Sequence, residues 1–239
     1  KMENFKLGEL PIAVDNSFAI NFDATASNGE NCEKGCGHYG VDCYAQKSEN
    51  RQPNLIKSGR RRALSPVQLV NSARLQIRHK RRCWARISSR GSVPKVSKAR
   101  KIAGFIPAFK ALIAEIVESD SPLHFPVESS RKREFYQSIC DEAKPGAVVV
   151  RESVHSRRSA IGKTGINRSF VVGESYDGLG IAGRIEKARA LARKIRSNGE
   201  SAIVCPKIKP RNYSGRVAKC GECTACADRS VLVVLYPKH

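Results

Sequence analysis

The sequence predicts an α/β fold, a partial parallel β/α barrel of about six strands. Three observations carry the prediction. Stretches with strand character alternate with amphipathic helical stretches, the pattern of parallel strands joined by right-handed crossovers. Two strand candidates, residues 147–151 (AVVVR) and 231–236 (VLVVLY), are continuous apolar runs, as expected where both faces of a sheet are covered. About six strands are too few to close an eight-stranded ring, so the barrel stays open, with a doubly wound sheet as the other arrangement. A single domain over residues 2–239 accommodates this, and the chain has no clear internal repeat.

Each element has its own signal. Residues 2–16 carry Pro11 and no clear period. In 17–23 (SFAINFD), Phe18, Ile20 and Phe22 alternate with smaller or polar residues, as in a half-buried strand. A cysteine-rich loop and a polar stretch from Lys47 to Arg62 follow. Ser65-Pro66 offers a capping hydroxyl with proline at the first helical position, and Val67, Val70, Ala73 and Ile77 recur at helical spacing to about Lys80. Residues 88–101, rich in Ser, Lys and Arg with Gly91 and Pro94, read as a mobile basic loop. Residues 105–117 form a helix whose buried stripe is Phe109, Leu112, Ile113 and Ile116. Leu123–Val127 is a short strand interrupted by Pro126. The helix at 133–142 turns Phe135, Ile139 and Cys140 inward. Strands at 147–151 and 169–172 flank a basic loop. Ile181–Ser197 is a helix closed by Asn198-Gly199, and the last strands are 202–205 and 231–236.

The formal net charge is +21, and much of it sits in one place. Between Arg51 and Ala114 there are 17 Lys or Arg and no Asp or Glu. Such a field attracts a polyanion, and nucleic acid, DNA before RNA, is the expected partner; a solvated surface is the plainer alternative. Residues 51–114 are therefore expected to form a basic helical insertion. Its candidate phosphate contacts are Arg60, Arg61, Arg62, Arg74, Arg78, Lys80, Arg81, Arg82, Arg86, Lys98, Arg100 and Lys101. Arg157, Arg158 and Lys163 extend the set from a later loop. No apolar run is long enough to cross a bilayer, and the N-terminus has no signal-peptide core, so a cytoplasmic protein without a membrane partner is expected.

Seven of the nine cysteines fall in two tight groups. Grouped thiols in a long chain point to metal ligation rather than a disulfide framework. Cys32, Cys36 and Cys43 could hold an iron–sulfur cluster and leave one iron without a protein ligand. His38 is a candidate fourth ligand or a solvent-facing loop residue. Cys220, Cys223 and Cys226 form a C-x2-C-x2-C run within a cysteine loop over 205–227. Cys205-Pro206 upstream matches the remote ligand of bacterial-type ferredoxin sites, so a 4Fe–4S cluster is favoured here. Tetrahedral zinc suits the same four thiolates. Cys83 and Cys140 stand apart and read as buried or incidental thiols.

The strand, the C-x3-C spacing and Cys43-Tyr44-Ala45 together resemble the cluster loop of radical S-adenosylmethionine enzymes. The closer resemblance is to a family of phage and plasmid proteins known as the gene product eighty-eight family. Its members are similar in having an N-terminal Cys-Tyr-Ala loop, a late helix leading to Val204-Cys205-Pro206, the C-x2-C-x2-C cluster and a final apolar strand. The match is specific at the two ends of the chain. It implies a radical-SAM-like barrel core with iron–sulfur centres and a bacterial host, and brings no settled activity. The departure is the spacing of six between Cys36 and Cys43, where radical-SAM enzymes usually have two; it bears on S-adenosylmethionine binding more than on metal binding. Ile181, Gly183 and Glu186 loosely match the stretch by which those enzymes contact adenine, with Leu179 in the first glycine position.

Gly178-Leu-Gly180-Ile-Ala-Gly183 also fits a dinucleotide fingerprint, but the next strand ends in Cys205-Pro206 rather than an acid. Gly162-Lys163-Thr164 lacks the glycine-rich cradle of a P-loop. His124, Glu128, Glu152 and Glu174 fall at strand ends, where a barrel collects functional side chains, and spacing assigns no acid–base pair among them. Three functions follow, in order of support. The first is a phage- or plasmid-type iron–sulfur protein that binds nucleic acid. The second is a radical-SAM-type enzyme acting on nucleic acid or a nucleobase. The third is a zinc-stabilised nucleic-acid-binding protein.

Overall fold

The computed structural model describes residues 16–20, 22, 64–79, 83–87, 92–154, 156–172, 179–206 and 223–237. Its strands are β1 (Asn16–Ile20), β2 (Cys83–Ile87), β3 (Leu123–Val127), β4 (Val150–Val154), β5 (Arg168–Val172), β6 (Ala202–Val204) and β7 (Val233–Pro237). Its helices are α1 (Pro66–His79), α2 (Val96–Lys101), α3 (Phe105–Glu118), α4 (Ser130–Ala143), α5 (Arg157–Gly162) and α6 (Ile181–Ser197). All strand pairs are parallel, in the order β1-β2-β3-β4-β5-β7-β6, and the sheet curls into a half-barrel. From β1 to β5 each strand lies beside its predecessor, so right-handed crossovers put the intervening helices on one side of the sheet. The last step reverses, because β7 inserts between β5 and β6.

Local chemistry explains the helix starts. At α1, Ser65 N–H donates to Gln68 Oε1 at 2.9 Å and Gln68 N–H donates to Ser65 Oγ at 3.3 Å, a reciprocal capping box with Pro66 at the first position. Ser129 and Ser156 cap α4 and α5 by accepting from the N–H groups of Lys132 and Ser159. Gly104, at φ 75°, turns the chain into α3 through a conformation that a side chain would strain.

The helices bury two apolar clusters on the convex side. One gathers β1–β4 with α1, α3 and α4 around Phe22, Phe105, Phe109, Phe125 and Tyr136, whose rings meet edge-on or tilted. The other joins β5, β6 and β7 to α6 through Phe170, Val172, Leu191, Ile195, Val233 and Leu235.

Several expectations need correcting. Residues 83–87, within the expected basic helical insertion, are the sheet strand β2 between β1 and β3, so this stretch is part of the barrel. The expected mobile loop at 88–101 contains α2, with Val96 and Ala99 buried. The basic loop after β4 contains α5. The strand expected at 147–151 starts three residues later, and its apolar lead-in, Val148 and Val149, is buried just before it. Among the described residues the sheet has one strand more than the six expected, and that strand is β2.

Candidate functional site

Side chains alternate across a strand, so each strand that sends apolar residues into the helical layer sends the next residue to the concave face. Val150 and Val154 enter the core from β4, leaving Arg151 and Ser153 on the other side. By the same alternation, Arg86, His124, Ser169 and Tyr236 share that face. Arg86 and His124 are register partners, and Ser153 Oγ lies 3.4 Å from Ser169 Oγ. Tyr236 Oη stands 3.5 Å from His124 Nε2. In a flat sheet, β3 and β7 would lie about 14 Å apart with β4 and β5 between them. That contact therefore depends on the curl.

Residues 225–228 lie against this face, and Arg151 holds them there. Its side chain is fully buried. Arg151 Nε donates to the carbonyl of Cys226 at 2.7 Å, Nη2 to those of Ala225 at 3.0 Å and Asp228 at 2.6 Å, and Nη1 to that of Leu232 at 3.4 Å. Among the described residues it forms no ion pair. Tyr236 Oη lies 2.8 Å from Cys226 Sγ. Cys205 follows β6 beside the same strand, its N–H donating to Leu235 O at 2.8 Å.

The electrostatics follow from burial. Burial, then the charges of Arg86 and Arg151, holds His124 well below its ordinary range, so its imidazole is neutral at pH 7. Burial and the negative charge of Cys226 and Cys205 push the Tyr236 phenol well up, against the pull of Arg151. An arginine stays charged in any protein setting, so a guanidinium is sealed under the cysteine loop with carbonyls as its partners. Such a loop could hold an anionic or thiolate-bound group. Two of the predicted ligands, Cys205 and Cys226, stand close enough to act on one phenol, and Cys223 is half-buried in the same loop. Among the described residues no three His, Cys, Asp or Glu side chains gather closely enough to hold a metal ion. Cys32, Cys36, Cys43 and Cys220 lie outside the described residues.

The predicted phosphate contacts fall into several settings. Arg60, Arg61, Arg62, Lys80, Arg81 and Arg82 lie outside the described residues. Arg74 and Arg78 both bond Glu115 Oε1, at 2.8 and 2.6 Å, tying α1 to α3. Arg86 is on the concave face. Arg100 lies 5.4 Å from the Phe135 ring centroid, a cation–π contact. Lys98 is half-buried; Lys101, Arg157 and Arg158 are exposed. Lys163 is ion-paired to the buried Glu152, which also accepts from Ser130 Oγ at 2.7 Å. Glu152 therefore belongs to the convex side, away from His124. Of the adenine-type residues, Ile181 is half-buried and Glu186 is exposed and bonded to Arg189 at 2.5 Å. A Cβ on Gly183 would come within 3.1 Å of the Leu179 side chain, so close packing at the helix start accounts for the glycine. Cys140 is a buried thiol whose pKa burial pushes up, as expected of an inert core residue.

Comparison with known protein families, curated proteins and solved structures gave no match. Arg151 and Tyr236 escaped the sequence reading. The available signal was a polar residue set among valines in a strand covered on both faces, since such a residue must find a buried partner.

Proposed function

We propose that this chain is an iron–sulfur protein that binds nucleic acid, DNA in preference to RNA. The observation that carries the reading is Arg151. A guanidinium sealed from water takes only carbonyls as hydrogen-bond partners, with the Asp228 carboxylate nearby as the one fixed negative charge acting on it among the described residues, and its burial costs several kcal/mol. A loop of neutral thiols leaves the Asp228 carboxylate alone to oppose that charge. A loop of metal-bound thiolates supplies the matching negative charge at Cys226, directly against it. Cys205, Cys220, Cys223 and Cys226 would hold such a cluster, and Cys32, Cys36 and Cys43 a second. The bound group supplies one-electron chemistry or a restraint on folding. The chain's own part is to clamp the loop through Arg151, to direct the Tyr236 hydroxyl at Cys226 sulfur and to set neutral His124 behind that hydroxyl.

The net charge of +21 and the exposed cations Lys101, Arg157 and Arg158 support the nucleic-acid half of the reading. Among the described residues no helix is long and apolar enough to cross a membrane. The two halves are tested on protein purified without oxygen. A brown protein whose visible absorption bleaches on reduction, and fades in a Cys223→Ser/Cys226→Ser variant, supports the cluster; a colourless protein refutes it. Retention on duplex DNA that falls steeply with salt supports the partner. Passage through the column at low salt refutes it.

A further inference from the structure

We infer that the solvent face of α6 is a nucleic-acid contact surface, an extension of the function proposed above that uses residues outside the basic 51–114 stretch. Ile185, Ala188, Leu191, Ala192 and Ile195 bury one face of this helix against the sheet. Its exposed side carries Lys187, Arg189, Arg193, Lys194 and Arg196. Arg189, Arg193 and Arg196 follow one another at i, i+4 and i+7, so they form a single line along the helix. Lys187 and Lys194, seven residues apart, make a neighbouring line. The acid on this face, Glu186, is bonded to Arg189 at the N-terminal end. Small residues, Ala182, Ala190 and Ser197, separate the cations, and no bulky group keeps a partner's backbone away.

Like charges one turn apart destabilise a helix, so this line carries an internal cost that a polyanion relieves. From Arg189 to Arg196 the helix rises about 10 Å, along which a DNA duplex presents roughly six phosphate charges. A basic helix can also lie on an anionic membrane, but it does so by burying its apolar face in lipid. Here that face is spent on the protein core, and the exposed face offers only alanine to a bilayer. Ala160 of α5 joins the same core as Ala188 of α6, so the exposed Arg157 and Arg158 extend from the same layer. Residues 225–228, held by Arg151, lie across the sheet from this layer, and the two surfaces can be altered separately.

The test is fluorescence anisotropy of a labelled DNA duplex with the full, anaerobically purified chain between about 50 and about 200 mM salt. The variant Arg193→Gln/Lys194→Gln/Arg196→Gln is compared with an equal charge change at exposed sites outside both surfaces, Arg131→Gln/Lys144→Gln/Arg229→Gln. The α6 variant is expected to bind at least about tenfold more weakly at the lower salt, with a log–log salt slope smaller by about 2–3. The control should stay within about threefold of wild type. The single variants Arg193→Gln, Lys194→Gln and Arg196→Gln, each lowering the slope by about one, keep the test valid should the triple variant misfold. Equal losses in the α6 and control variants overturn the inference while leaving the proposed function standing. Absence of DNA binding by wild type overturns both. Binding to phosphatidylserine vesicles that depends on α6, without such dependence for DNA, replaces nucleic acid with a membrane surface and also overturns it.

Discussion

Replacing Arg151 with methionine keeps an unbranched apolar stem, two atoms shorter, and removes the charge and all four of its hydrogen bonds. Three of those bonds are 3.0 Å or shorter, to Cys226, Ala225 and Asp228. At about 1.5–3 kcal/mol for each bond to a charged group, their gross contribution is roughly 5–9 kcal/mol. Removing a buried guanidinium returns several kcal/mol of desolvation, leaving a net loss of about 2–4 kcal/mol. For a chain of this size that is a fall in Tm of roughly 4–16 °C. Circular dichroism melts without oxygen, before and after chelation, read both quantities. If metal-bound thiolates balance Arg151, chelation costs wild type more than Arg151→Met, with a coupling of about 1–3 kcal/mol. Equal chelation penalties in the two proteins, or a variant as stable as wild type when loaded, would refute the charge-balance argument.

Other consequences are open to separate measurement. Glu200 accepts from Arg168 at 2.6 and 3.1 Å and from Gly165 N–H at 2.9 Å, and the Arg168 bonds first of all hold its carboxyl below the ordinary carboxylate range. The stability this contributes is full above about pH 4.5 and disappears as pH falls through the lowered value. Glu200→Gln should therefore cost about 3 kcal/mol at pH 7 and flatten the acid limb of the stability curve, as melts across pH will show. Tyr236→Phe removes the hydroxyl at Cys226 Sγ, a donor that favours the reduced, more negative form of a bound cluster. Voltammetry should find a lower midpoint potential with iron content unchanged. Glu115→Gln weakens the tie on Arg74 and Arg78 and should steepen the salt dependence of DNA binding, at a stability cost of about 1 kcal/mol. Phe109→Ala, at the centre of the aromatic cluster, should cost about 3–5 kcal/mol in chemical denaturation.

The elements read correctly from sequence are those whose signal is local. Ile181–Ser197 and Leu123–Val127 have the expected bounds, and α1 starts at the predicted Ser65-Pro66 cap. Strand β2 was hidden because its five residues, CWARI, carry Arg86 on the concave face and Trp84 buried beside it, in a context of surrounding arginines. Strand β4 was displaced for a related reason. Its Arg151 and Glu152 are buried, one under the cysteine loop and the other against Lys163 and Ser130, and hydropathy alone reads such residues as the end of a strand. The cysteine groups stand out as spacings. The side chains around Cys226 do not, because Arg86, His124, Arg151 and Tyr236 come from four strands and meet only through sheet curl and the reversed β5-β7-β6 order.

The central claim is that the cysteines carry inorganic clusters, and iron and acid-labile sulfide per chain in oxygen-free protein test it most directly. The account predicts the two in equal number, about four of each for every occupied 4Fe–4S site. Zinc without sulfide, or no metal at all, would contradict it.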